Sequence, residues 1–143
     1  MVNFLLKKSY QINNLKILKF KDLWGSFGVF TTIRLIGKPG KLILFQSHFN
    51  GLIKSLRKYK IYNKKLEKVV RHLINLNINK NFNYDHLLRV ALTKKDISIS
   101  IRKRLKPKKN FELKIINYKR IDPLTKNLYY KKILKELNKY DPS

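Results

Sequence analysis

With 143 residues, 43% of them apolar, the chain has room for one domain with its own core and little beyond it. It has no cysteine, which removes disulfides and Cys-ligated zinc or iron–sulfur centres, and its three histidines (His48, His72 and His86) stand too far apart to suggest a metal site. The net charge of +26, from 34 Lys and Arg against 8 Asp and Glu, leaves two readings open, a polyanion partner or a basic solvated surface.

The chain opens on an apolar patch followed by Lys7 and Lys8, the reverse of a secretory signal. Apolar runs such as residues 42–45 are far too short to cross a bilayer, so the chain reads as soluble and cytoplasmic. Trp24 and Gly25 are expected to anchor the first loop. Residues 27–36 are β-branched and aromatic, which predicts a strand with Phe27, Val29, Thr31, Ile33 and Leu35 on one face. Gly37, Pro39 and Gly40 make a turn. A helix is predicted near residues 47–58, with Ser47 as N-cap and Phe49, Leu52, Ile53 and Leu56 at the spacing of a buried stripe. A second helix begins at about Asn63, with the stripe Leu66, Val69, Val70 and Leu73.

Beyond the Asn-rich residues 75–83 the apolar period drops to two. Leu88, Val90 and Leu92, then Ile97, Ile99 and Ile101, then Phe111, Leu113 and Ile115 predict an antiparallel meander. A last helix is predicted over residues 125–139, burying Leu128, Ile133, Leu134 and Leu137, with Lys126 next to its N-terminus. This order of elements predicts an α+β fold.

The lysines are spread along the whole chain, and they outnumber the arginines 27 to 7. Lys, Ile and Asn together fill 57 of the 143 positions, and all three have A/T-rich codons, so genome composition alone can raise them. Selection for phosphate or base contacts favours arginine, whose planar fork grips phosphate bidentately. A basic solvated surface is therefore the simpler expectation, and a nucleic-acid-binding module is the alternative. No Ser/His/Asp or Cys/His set, phosphate loop or paired carboxylates are found.

Two segments carry a resemblance. Residues 28–56 read GVFTTIRLIGKPGKLILFQSHFNGLIKSL, and residues 123–137 read PLTKNLYYKKILKEL. The first resembles the strand, turn and helix of class IV pyridoxal-phosphate enzymes, the branched-chain aminotransferases, D-amino acid aminotransferases and aminodeoxychorismate lyases. It does so through Gly28, Val29, Phe30, Thr32, Ile33, Arg34, His48, Leu52 and Ser55. The second resembles the stretch whose lysine, here Lys126, holds pyridoxal phosphate covalently in that family. Leu88-Arg89-Val90 is similar to the family strand from which an arginine faces the substrate.

The resemblance implies an N-terminal class IV domain over residues 1–118, with an antiparallel sheet and two packed helices. Residues 119–143 would then begin a second, truncated cofactor domain on the lysine-bearing helix. It implies amino-group transfer from an amino acid to a 2-keto acid, or the aminodeoxychorismate lyase reaction, and a homodimer when full length. Lys126 would be catalytic and hold the cofactor with Tyr130, and Phe30, Arg34 and Arg89 would line the substrate pocket. A Schiff-base lysine needs desolvation or positive neighbours, and a helix N-terminus at Lys126 would help. Three positions depart from the family: Gly51 stands where its helix arginine grips the cofactor phosphate, Thr31 where glutamate is usual, and Tyr129 where Asn is common. Loss of that arginine puts cofactor affinity in question, with Lys54 as a possible substitute, and it leaves a non-catalytic partner domain open as a further reading.

Overall fold

The computed structural model describes residues 3–106, 108–110, 113 and 115–140. The chain runs β1 (Phe4–Gln11), β2 (Ile17–Leu18), β3 (Val29–Gly37), β4 (Lys41–Leu42), α1 (Phe45–Lys58), α2 (Lys64–Asn77), β5 (Tyr84–Leu92), β6 (Asp96–Lys103) and α3 (Lys131–Tyr140). Among the described residues, six strands form one antiparallel sheet in the order β2-β1-β6-β5-β3-β4. The fold is α+β, as the order of elements predicts.

The period of two fixes which face of the sheet is covered. Val29, Thr31, Ile33 and Leu35 of β3 are buried while their neighbours are half-buried. Across the ladder they meet Leu92, Val90, Leu88 and His86 of β5. Ile97, Ile99 and Ile101 of β6 continue the same layer. Both helices supply the other side of this core, with Phe49, Leu52, Ile53 and Leu56 from α1 and Leu66, Val70 and Leu73 from α2. Each such side chain contributes roughly 1.5–3 kcal/mol by leaving water. Val69, expected in the same stripe, is only half-buried at its edge.

Several boundaries differ from the sequence expectation. Phe27 precedes β3 and is 48% exposed, with its ring edge-on to Tyr59 instead of in the core. Ser47 is not the N-cap of α1, because the Leu44 carbonyl already accepts the His48 N–H. The cap is Leu44 itself, at φ 51° and without a side-chain bond. Asn63 does cap α2, accepting the Leu66 N–H at 2.8 Å.

A third meander strand after β6 is absent at the described positions. Leu113 and Ile115 are exposed and outside any strand, and Phe111 lies outside the described residues. The strand that does flank β6 is β1, which the sequence reading passed over. Its Lys7 and Lys8 mask the alternation. Lys7 sits over the Phe4 and Phe20 rings, Ser9 bonds Ser98 at 2.7 Å, and the Tyr10 hydroxyl takes an N–H from Asn77 at 3.0 Å.

The last helix is also shorter than expected. It begins at Lys131, not near residue 125. Leu128 is fully buried, but in the bent, non-helical segment before the helix, while Leu137 is 51% exposed. Lys126 is therefore five residues short of the helix, and the helix-dipole argument for its amine does not apply.

Candidate functional site

The two motif segments meet in space. Leu128 donates its N–H to the Gly28 carbonyl at 3.0 Å, and Phe30 donates its own to the Lys126 carbonyl at 2.7 Å, so Val29 and Asn127 form an antiparallel bridge. Gly28 is needed at this approach, because a Cβ there would strike the Leu92 carbonyl and press on Leu128 Cδ1. On its outer side the segment is held by α1, where Ser55 Oγ accepts the Lys126 N–H at 3.1 Å. Lys126 thus sits half-buried in the seam between the first strand of its motif partner and the helix that follows.

A cluster around Asp122 clasps the approach to that seam. Its carboxylate accepts from Lys58 Nζ at 2.8 Å, Tyr59 Oη at 2.9 Å and Thr125 Oγ1 at 2.9 Å. These three bonds, the one from Lys58 first, hold its carboxyl below the usual carboxylate range. Asn127 is fully buried, and its amide donates to the carbonyls of Ile121 and Asp122. Asp122 has φ 45°, a left-handed conformation that Asp tolerates better than most residues. The result is a folded turn ahead of Lys126 where the sequence suggested the start of a helix.

His48 and Gly51 lie on the same face of α1 as Ser55, at helical spacing. The His48 ring is 3.4 Å from Thr31 Oγ1. Burial, and then the charge of Lys126, push its pKa below the usual 6.5. The imidazole is therefore neutral at neutral pH, and the Lys126 ammonium is close enough to be felt there. At Gly51 an added Cβ would meet nothing within 4 Å, so the helix leaves open space beside the seam.

The other face of β3 gathers most of the remaining candidates. Phe30 packs edge-on to Trp24 at 5.0 Å and to Tyr130 at 5.2 Å, and Trp24 lies 5.1 Å from Tyr130. Arg89 stacks on Trp24 at 3.6 Å and donates to the Asp22 carbonyl at 2.8 Å. Burial pulls its pKa down to about 10, against the opposing pull of Asp22. Its Nε is buried and, among the described residues, has no hydrogen-bond partner. Trp24 and Gly25 do anchor the first loop, since Gly25 donates to the Leu128 carbonyl at 2.8 Å.

Phe30, Arg89, Tyr130 and the Lys126 backbone are thus brought together. Arg34 is not among them. It lies four residues along β3, on the order of 13 Å away at strand rise, and reaches Asp85 at 3.5 Å. Lys54 does not replace the missing arginine, because it is exposed and lines a different hollow with Arg57 and Arg71. Tyr129 is 6.5 Å from Tyr59.

A pyridoxal phosphate held at this seam would have the Lys126 segment, the neutral His48 imidazole and the open space at Gly51 beside it. The helix side contributes no guanidinium to its phosphate. The residues that sequence reasoning missed are those that position Lys126: Asp122, Thr125, Asn127 and Tyr59. Asp122 before Pro123 is a turn signal that could have shown the break, but the contacts over more than 60 residues to α1 leave no mark in the sequence. Among the described residues no helix is long and apolar enough to cross a membrane, and no group of three or more His, Cys, Asp or Glu could hold a metal ion. Set against protein-family models, curated proteins and solved structures, the chain matches none of them.

Proposed function

We propose that this chain carries the lysine of a class IV pyridoxal-phosphate site and serves amino-group transfer from an amino acid to a 2-keto acid. One observation supports the reading above the others. The two segments that resemble the family lie about 70 residues apart in sequence, yet they pair through Val29–Asn127 and share the Lys126 seam.

Bound at this seam, pyridoxal phosphate supplies an electron sink that makes a substrate C–H bond acidic. Lys126 is the residue that holds it and moves the proton. His48, kept neutral, adds no charge beside that amine at working pH. The wall of Phe30, Trp24 and Tyr130 keeps water from one side, and Arg89, stacked on Trp24 at 3.6 Å, sets a positive charge behind it. Mixing the protein with pyridoxal phosphate should give an absorbance band that Lys54→Ala keeps and Lys126→Ala abolishes. A band that survives Lys126→Ala, or no band at all, removes the reading.

A further inference from the structure

Between α1 and α2, on the flank of α1 away from Ser55, is a hollow of about 430 Å³ with a basic rim. Lys54, Arg57 and Arg71 line it over a floor of Phe49 and Ile53. Arginine is scarce in this chain, 7 against 27 lysines, yet two of the seven converge here. Both are seated on aromatic faces. Arg71 lies 4.1 Å above Phe49 and Arg57 lies 4.6 Å above Tyr62. A guanidinium placed over a ring still has edge N–H groups to donate and loses less freedom on binding an anion.

Little in the hollow competes for these cations. Among the described residues none of the three pairs with a carboxylate. Glu67, the one acid on the rim, accepts the Tyr62 hydroxyl at 2.8 Å. Arg71 Nη2 donates to Gln46 Oε1 at 3.4 Å, and the Gln46 amide in turn donates to Asn50 Oδ1 at 2.7 Å, which fixes the rim beside the guanidinium. The volume falls within the range of small-molecule sites, roughly 300–1,000 Å³.

We infer that the hollow between α1 and α2 is a binding site for a phosphate-bearing small molecule, separate from the Lys126 seam. The phosphate takes the edges of Arg57 and Arg71 with Lys54 as a third charge, and the organic body lies along the α1 wall at Asn50 and Ile53. A nucleic-acid backbone offers the same phosphate chemistry, but single-strand binding also needs aromatic faces for the bases. Here Phe49 and Tyr62 are already covered by guanidinium.

Adenosine monophosphate and inorganic phosphate are titrated into the protein and followed by amide NMR at fixed ionic strength. Saturable shifts confined to α1 and α2 are expected from both, with the nucleotide binding more tightly. Arg57→Gln and the exposed Lys54→Gln should each weaken binding roughly tenfold, the worth of one charge-assisted contact. Lys126→Ala should leave it unchanged, so this site and the seam fail independently. Shifts scattered over lysines all around the surface, or affinity untouched by both rim variants, overturn the proposal. So does a single-stranded RNA that moves these amides with a steep salt dependence while the small phosphates do not.

Discussion

Replacing Leu128 by alanine tests whether the lysine segment is truly docked. The side chain is fully buried in a small cluster with Leu23 and Ala91, against Trp24 and Phe30, and it touches the Gly28 backbone. Leu→Ala in a core costs about 2–5 kcal/mol, and a cluster with two partly open members belongs in the lower half, at about 3 kcal/mol. For a chain of this length that corresponds to a fall in Tm of about 10 °C. Leu124, four residues earlier and 91% exposed, is the control, and its replacement by alanine should change stability by less than about 0.5 kcal/mol. Urea unfolding gives the totals, and hydrogen exchange locates the effect. The Phe30 and Leu128 amides, bonded at 2.7 and 3.0 Å across the bridge, should lose protection in Leu128→Ala alone. Equal losses in the two variants, with both amides unchanged, would refute the docking.

Ser55→Ala leaves the Lys126 N–H without its acceptor and should cost about 1–2 kcal/mol in urea unfolding. Gly51→Arg fills open space and removes a mid-helix glycine, so it should stabilise the protein by about 0.5–1 kcal/mol relative to the parent chain. The same variant should tighten pyridoxal phosphate roughly tenfold in an absorbance titration while leaving unphosphorylated pyridoxal unchanged. His48, whose folded pKa lies below 6.5, contributes stability that is complete above pH 6.5 and falls as the pH drops through the folded value. Its imidazole resonances should titrate below 6.5, and the midpoint should rise in Lys126→Met. Asp122 behaves in the same direction at lower pH, its contribution being lost as the pH falls through its depressed value. Asp122→Asn should therefore flatten the acid limb of the stability curve measured by circular dichroism.

Local periodicity carried most of the fold. The alternation in β3, β5 and β6 and the stripes of α1 and α2 were legible because one face of each had to be apolar to reach a single core. Boundaries were less legible. Leu44 caps α1 by backbone geometry, with no side-chain signal to find. β1 was hidden because Lys8 sits on the inward phase with only its stem half-buried. At the site, the candidates Phe30, Arg89 and Tyr130 and the backbone of Lys126 converge, since strand alternation and motif order both constrain them. Leu128 misled the helix prediction. It stands five and six residues before Ile133 and Leu134, off the helical stripe, and its burial comes from the opposite face of the sheet, through a β-bridge that sequence spacing does not encode.

Borohydride reduction of the protein with pyridoxal phosphate, followed by peptide mass spectrometry, tests the functional reading most directly. With limiting cofactor, the label should fall on Lys126 in preference to the other 26 of the 27 lysines in the chain. Label distributed in proportion to exposure, with Lys126 no richer than Lys54, would contradict it.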